Sequence, residues 1–158
     1  MQWSRYRFRS AWHVDASRDA VFGVLADFAS YPRWWRQIRS VERVDEDSAE
    51  VVCRSALPYR LELRAERICQ DPDRGVLEVR LSGDLDGWSR WTLAPAGRRT
   101  SLVYEQEVVA HGRLLRVAGL VGRPVLRLNH AWMMRGGRVG LDRWLAGSGC
   151  MAANASAS

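Results

Sequence analysis

Hydrophobic and polar positions alternate near the start of the chain, over residues 3–14. One parity is largely apolar and holds Tyr6, Phe8, Ser10, Trp12 and Val14. The other parity is polar or small and holds Arg5, Arg7, Arg9, Ala11 and His13. A period of two with one apolar face is typical of a half-buried β-strand.

Two short helices are predicted after this strand. Ser17 is a suitable N-cap for the first helix, which we expect to end at about Asp27. Pro32 suits the first turn of the second helix, which we expect to end at about Ile38.

The middle of the chain predicts consecutive strands separated by turn residues. We expect six of them, at 41–46, 49–56, 60–69, 75–82, 87–94 and 100–110. Their spacing of roughly ten residues favours an antiparallel meander. The expected inward positions are Leu61, Leu63, Ala65, Leu77, Val79, Leu81, Trp91, Leu93, Leu102, Tyr104, Gln106 and Val108. The opposite parity carries charges of both signs, which indicates a solvated face with cross-strand ion pairs.

The C-terminal part predicts a linking helical segment at about 113–120 and a long helix from Arg123 to about Leu145. One stripe of the long helix is expected to face inward, with Leu126, His130, Met133, Met134, Gly137, Leu141, Trp144 and Leu145. The small and polar residues 147–158 predict a disordered tail.

Three glycines interrupt the long helix, at Gly136, Gly137 and Gly140. Each disfavours the helix by up to about 1 kcal/mol relative to alanine. Either the helix bends at these positions, or a neighbouring element approaches it closely.

The order of the elements predicts an α+β fold. We expect a curved antiparallel sheet of about seven strands wrapped around the long C-terminal helix, with two short helices after the first strand. Such a sheet cannot close tightly on one helix, so a cavity between them is expected. The 158 residues suit one domain, which we place at 1–146.

The amino-acid composition excludes several kinds of catalytic and binding site. All 24 basic residues are arginines, which excludes Schiff-base chemistry, a lysine base and a P-loop. The net charge of +6 and the pI of about 10 suggest an anionic partner. The 18 carboxylates are interspersed, however, without long runs of like charge, so we expect no nucleic-acid partner.

The three cysteines lack the spacing of a zinc site or a disulfide framework, so we expect no metal, and nothing predicts a cofactor. No apolar run approaches the roughly 18 residues of a membrane span, and the N-terminus lacks the apolar segment of a signal peptide. We therefore expect a cytoplasmic protein, as a monomer or a homodimer.

The segment from Trp12 to Trp35, WHVDASRDAVFGVLADFASYPRWW, resembles the opening of polyketide cyclase/dehydrase and lipid-transport proteins. These belong to the SRPBCC superfamily, whose fold is the START-like or Bet v 1-like helix-grip fold. The similarity continues at WTLAP (91–95), TSLVY (100–104) and NHAWMM (129–134). The resemblance implies a hydrophobic ligand cavity under the long helix. It does not fix the function, since the superfamily holds cyclases, carriers, chaperone regulators and ribosome-associated proteins.

Polar groups on the apolar inward faces are the candidate site. His130 suits acid–base catalysis at neutral pH, and its alternative role is a structural hydrogen bond to a strand. Tyr104 and Gln106 need partners in an apolar interior, because an unmade buried hydrogen bond costs about 1–3 kcal/mol. They bind either a ligand's polar end or each other. Asn129 either orients a ligand carbonyl or makes a structural bond.

Large apolar side chains supply the rest of the candidate ligand site. These are Trp12, Trp34, Trp91, Met133 and Met134, and the alternative is that they belong to the core. Trp34 and Trp35 are adjacent on a short helix and cannot both point inward. We expect one of the two to cover the cavity mouth or to be exposed.

Three functions are compatible with the sequence. The preferred hypothesis is binding of a hydrophobic, polyketide-like or polycyclic small molecule. If the protein is an enzyme, it is a cofactor-free cyclase or aromatase in which His130 and Tyr104 are catalytic and move protons. The first alternative is a non-catalytic carrier of a lipid or other hydrophobic ligand. The second is an interaction module whose arginine-rich exterior contacts RNA or a ribosome.

Overall fold

The computed structural model describes residues 5–56 and 59–156, with side chains up to Gly147. Its strands are β1 (Arg5–Val14), β2 (Ile38–Arg43), β3 (Ser48–Arg54), β4 (Arg60–Asp71), β5 (Val76–Gly83), β6 (Leu85–Ala96) and β7 (Arg99–Ala110). Its helices are α1 (Arg18–Ala26), α2 (Tyr31–Trp34) after a 3₁₀ turn at Phe28–Ser30, α3 (Gly112–Val121) and α4 (Arg123–Ser156). This is the predicted α+β order of elements.

All seven strands form one antiparallel sheet in the order β1-β7-β6-β5-β4-β3-β2. Consecutive strands from β2 to β7 are neighbours, which confirms the predicted meander. β1 pairs with β7 along its length, from Arg5 opposite Val109 to Val14 opposite Thr100. Because β1 and β2 are the two edges, the segment with α1 and α2 crosses from one edge of the sheet to the other.

The two faces of the sheet have the predicted characters. Leu77, Leu102 and Val108 are fully buried on the concave face. On the convex face Arg90 pairs with Glu78 at 2.9 Å across β5 and β6. This solvated cross-strand ion pair is of the kind expected from the period of two.

Helix α1 begins where the sequence predicts. The Ser17 hydroxyl accepts a hydrogen bond from the Ala20 N–H at 3.3 Å, and Val21 and Leu25 are fully buried. Helix α2 is shorter than predicted and ends at Trp34 rather than at about Ile38. The reason is that Ile38 already belongs to β2, where it pairs with Cys53.

Both indoles of the adjacent pair are buried, so the prediction that they cannot both point inward is wrong, and of its two alternatives the exposed indole is not present. Trp34 is 3% exposed and Trp35 is 7% exposed. Because α2 ends at Trp34, the backbone of Trp35 is extended. The period of the helix therefore does not determine the direction in which the Trp35 side chain points.

The glycines of α4 make room for this segment. A Cβ atom on Gly140 would overlap the carbonyl oxygen of Trp34, and one on Gly137 would lie 2.6 Å from Cε2 of Trp35. A Cβ atom on Gly136 would overlap the side-chain amide of Gln37. The glycines are therefore explained by the close approach of a neighbour.

Helix α4 continues to Ser156, beyond the predicted end at about Leu145. The backbone over 147–156 is thus helical where a disordered tail was expected. Ala152, Ala153 and Ala155 are strong helix formers, a preference that the small and polar composition concealed. The domain limit at residue 146 stays a prediction. Within the described residues no helix is long and apolar enough to cross a membrane.

Candidate functional site

A cavity of about 200 Å³ lies between the concave face of the sheet, α2 and the helices α3 and α4. Leu114 of α3 and Leu126 of α4 form part of its wall. The sheet contributes nine of the predicted inward side chains: Leu61, Leu63, Ala65, Leu77, Val79, Leu81, Trp91, Tyr104 and Gln106. No Asp, Glu or Arg occurs among the wall residues that the structure describes.

Three of the predicted polar residues meet at one atom in this cavity. The hydroxyl of Tyr104 donates a hydrogen bond to Oε1 of Gln106 at 2.8 Å. Nε2 of His130 lies 3.2 Å from the same oxygen. The strand places Tyr104 and Gln106 two residues apart on one face, and α4 brings His130 over them. We call Tyr104, Gln106 and His130 the polar cluster.

His130 is held as a neutral imidazole. Its ring stacks on Phe8 with 3.7 Å between centroids. Burial lowers the pKa of His130 from 6.5 to about 4, so the ring is unprotonated at neutral pH. Because a carbonyl oxygen only accepts, Nε2 carries the ring proton toward Gln106, and Nδ1 is left as the basic nitrogen.

Tyr104 remains a phenol at any physiological pH. Burial raises its pKa, and a hydrogen bond from Ser89 opposes this effect only in part. Burial also raises the pKa of the Cys53 thiol, to about 12, so this cavity residue is not a thiolate nucleophile. The polar groups of the cavity therefore act as neutral donors and acceptors.

Asn129 has a structural hydrogen-bonding role as well as a place in the cavity wall. Its Oδ1 accepts hydrogen bonds from the Ser55 hydroxyl at 3.1 Å and from the Ala56 N–H at 2.9 Å. These bonds tie α4 to the segment after β3. Of the two alternatives for Asn129, the structural bond is present.

Met133 and Met134 both line the cavity. The backbone carbonyl of Met133 accepts a hydrogen bond from Nε1 of Trp35 at 2.8 Å. This bond fixes α4 against the segment that follows α2. Trp35 also lines the cavity, whereas the ligand-binding indole predicted from the sequence is its neighbour Trp34.

Trp12 and Trp34 do not reach the cavity wall. Trp12 packs edge-to-face against Trp91, with 5.0 Å between the ring centroids, and belongs to a core cluster of buried hydrophobic residues. Trp34 donates from Nε1 to the hydroxyl of Ser30 at 3.3 Å and packs in the same core. Of the predicted tryptophans, Trp91 alone lines the wall that the structure describes.

Several wall residues were missed by the sequence reasoning. Phe8 and Ser89 lie on the inward parities of β1 and β6, so a consistent use of the period of two identifies them. Phe28 and Tyr31 come from the 3₁₀ turn and α2, where no periodic signal exists. The Tyr31 hydroxyl donates to the carbonyl of Leu25 at 2.6 Å, which fixes this turn against α1.

The described residues hold no group of three or more side chains suited to bind a metal ion.

Comparison with known proteins agrees with this architecture. The model of the polyketide cyclase / dehydrase and lipid transport family matches residues 14–140. No protein of curated function matches the sequence.

Solved structures with this fold share little sequence with the chain. The Zhui aromatase/cyclase from Streptomyces sp. R1128 aligns with a TM-score of 0.75 at 18% identity, over 90% of this chain and 94% of that one. TTHA0849 from Thermus thermophilus aligns with a TM-score of 0.78 at 15% identity, over 90% and 99%. A START superfamily protein from Mycobacterium smegmatis aligns with a TM-score of 0.72 at 13% identity, over 89% and 97%.

At such identities the structural likeness shows the fold, which is the START-like helix-grip fold. The family model covers most of the chain, from the last residue of β1 into α4. The chain therefore belongs to the polyketide cyclase/dehydrase and lipid transport family.

Proposed function

We propose that this protein binds a neutral, largely apolar small molecule, polyketide-like or polycyclic, in the cavity beneath α4. One observation carries the proposal. The apolar wall holds no charged side chain among its described residues, and its polar cluster of Tyr104, Gln106 and His130 consists of neutral hydrogen-bonding groups.

The absence of charge from the described wall selects against an ionised ligand. A carboxylate or an ammonium group would leave water without an opposite charge to receive it, which is strongly unfavourable. A ketone, phenol or alcohol avoids this cost and can hydrogen-bond to the polar cluster. The amide nitrogen of Gln106 is a hydrogen-bond donor in the cavity wall and is suited to donate to a ligand carbonyl.

Cofactor-free cyclisation of such a ligand is the finer form of the proposal, and His130 is the observation that favours it. In an aldol cyclisation a base removes a proton from a carbon beside a carbonyl, and that carbon attacks a second carbonyl. The resulting alkoxide then takes up a proton. Nδ1 of His130 is an unprotonated base at neutral pH, and Tyr104 is a proton donor of the same cluster.

The burial that keeps His130 neutral also makes it a weak base. Most of the rate enhancement would then come from holding the flexible chain in a folded conformation, with proton transfer as a smaller contribution. Solved neighbours whose names include aromatase/cyclase support this form of the proposal. A carrier function needs the same cavity without the proton transfer.

Native mass spectrometry of the protein purified from its own host tests the binding proposal. We expect a non-covalent small-molecule adduct on the wild type that is lost from Leu63→Trp, which fills the cavity. Arg64→Trp introduces the same indole on the opposite face of β4 and should keep the adduct. An adduct of equal occupancy on Leu63→Trp would place the ligand elsewhere.

Turnover of a linear poly-β-ketone thioester separates the enzyme from the carrier. We expect His130→Gln to lose about 10²–10⁴-fold in the rate of cyclisation, the usual contribution of a general base. If the wild type binds the thioester but does not accelerate its cyclisation, the protein is a carrier and not a cyclase.

A further inference from the structure

The net charge of the protein is confined to its last two helices. Residues 1–110 contain 17 arginines and 17 carboxylates, so this part of the chain is neutral. Residues 111–158 contain seven arginines and a single carboxylate, Asp142. The whole excess of +6 is thus carried by the part of the chain that forms α3 and α4.

The seven arginine side chains are all exposed: Arg113, Arg116, Arg123, Arg127, Arg135, Arg138 and Arg143. Asp142 cannot neutralise them. The exposed surface of the two helices therefore carries a strong net positive charge, whereas residues 1–110 balance their charges.

Exposed hydrophobic side chains collect on the same two helices. Leu120 at the end of α3 is 87% exposed and Leu128 on α4 is 71% exposed, while Trp132 and Val139 are each 41% exposed. These are four of the six large exposed hydrophobic residues in the described part of the chain. Burying such groups would be favourable, and within the described chain nothing buries them.

The α4 members form one continuous stripe. Leu128, Trp132 and Val139 are separated by four and seven residues, which places them within about 40° of one another around the helix axis. The stripe lies opposite the inward face that carries His130. Arg135 and Arg143 fall on its two sides, so apolar and cationic groups point away from the protein together.

We propose that the outer face of α3 and α4 docks on the surface of an anionic lipid bilayer. A helix face with exposed Leu and Trp flanked by arginines lies in the membrane interface, where apolar groups enter the acyl boundary and guanidinium groups contact lipid phosphates. The stripe of Leu128, Trp132 and Val139 is the inserted element. The proposal concerns docking at the surface, since neither helix can span the bilayer.

Charge complementarity separates this occupant from the others. A second copy of the chain packed on this face by a twofold axis would bring the two cationic helix pairs together, which is repulsive. A nucleic acid would satisfy the arginines but would leave Leu120, Leu128 and Val139 without an apolar environment. An anionic lipid surface satisfies both kinds of side chain.

Docking would bring the cavity close to the bilayer. Leu114 and Leu126 line the cavity from the inner sides of the same two helices. Gly112 is the first residue of α3 and Gly122 follows its last residue. Their φ angles of 56° and 82° are backbone conformations that favour glycine. The docking surface includes no cavity residue, so its test is independent of the proposed function.

Flotation with lipid vesicles tests the proposal. The full chain is mixed at low ionic strength with vesicles of phosphatidylcholine alone, or with one third phosphatidylglycerol. We expect binding to the anionic vesicles only. Arg135→Gln/Arg143→Gln should weaken it about 25-fold, at about fivefold per arginine, and Leu128→Ser/Trp132→Ser by more than about tenfold.

Val44→Ser/Ile68→Ser is the matched control, because it removes two exposed hydrophobic residues from the neutral part of the protein. It should leave vesicle binding unchanged. In vesicles with brominated acyl chains, the quenched part of the tryptophan fluorescence should fall in Trp132→Phe while binding persists.

Three outcomes would overturn the proposal. The first is an absence of binding to anionic vesicles, or equal binding by the control and both helix variants. The second is tight binding of single-stranded RNA together with vesicle binding that Leu128→Ser/Trp132→Ser does not weaken, which would indicate a nucleic-acid surface. The third is a wild-type dimer that Leu128→Ser/Trp132→Ser converts to monomer, because a second copy then covers the stripe.

Discussion

Gly140 gives the sharpest test of how α4 is held against the rest of the protein. In an exposed helix, replacing glycine by alanine stabilises the fold by up to about 1 kcal/mol. At Gly140 the added Cβ atom would overlap the carbonyl oxygen of Trp34. A backbone carbonyl cannot turn aside as a flexible side chain can, so α2 and α4 must separate.

Such overpacking typically costs about 1–3 kcal/mol, which exceeds the gain in helix propensity. We therefore expect Gly140→Ala to lower the free energy of unfolding by about 2 kcal/mol. For a chain of this size that corresponds to a fall in Tm of about 4–8 °C. Thermal and urea unfolding followed by circular dichroism measure both quantities.

Gly147→Ala and Gly119→Ala are matched controls, because a Cβ atom at either position meets nothing within 4 Å. Both should leave the stability unchanged or raise it. The account of the α2–α4 contact is refuted if Gly140→Ala is as stable as the wild type.

Three further predictions concern the cavity. The pKa of His130 is about 4 in the folded chain and 6.5 in the unfolded chain. Between these values the unfolded chain binds a proton that the folded chain does not, so the stability is complete above pH 6.5 and falls as the pH is lowered toward 4. Relative to His130→Gln, the wild type should lose up to about 3 kcal/mol over this range in urea unfolding. Gln106→Leu should lower the free energy of unfolding by about 1–3 kcal/mol, more than Tyr104→Phe, because it leaves the buried donors of Tyr104 and His130 without their acceptor. Equal losses in the two variants would contradict the sharing of Oε1 of Gln106 by both donors. Asn129→Ala should cost about 1–2 kcal/mol, whereas Asn129→Asp keeps the accepting oxygen and should cost less.

The sheet was predictable because a period of two assigns each strand residue to a face. Leu61, Leu63 and Ala65 line the cavity as that period predicts. The same rule placed Tyr104 and Gln106 on one face, and the helical period brought His130 above them. The polar cluster could therefore be anticipated from the sequence.

Other features depend on contacts between distant parts of the chain. The burial of both Trp34 and Trp35 requires Gly137 and Gly140, about a hundred residues later, and local patterns do not contain that pairing. Trp12 shows a related limit. Its parity predicts an inward direction, but whether an inward side chain meets the cavity or the filled core depends on its position along the strand.

The unequal charge distribution is visible in the sequence only when the charges are counted by segment. The interspersed carboxylates of the whole chain suggested dispersal of the arginines. Counted by segment, the charges balance over 1–110 and are strongly unequal afterwards. The distinction matters because a partner responds to the local charge of a surface and not to the average of the chain.

Titration with two fluorescent probes tests the central claim, that the cavity takes neutral apolar molecules, most directly. N-phenyl-1-naphthylamine is neutral, and anilinonaphthalene sulfonate is an anion of similar size. We expect the neutral probe to bind the wild type and Arg64→Trp at least about tenfold more tightly than Leu63→Trp, and the anion to show no such dependence on the cavity. Equal affinity of the neutral probe for Leu63→Trp and Arg64→Trp would contradict the account.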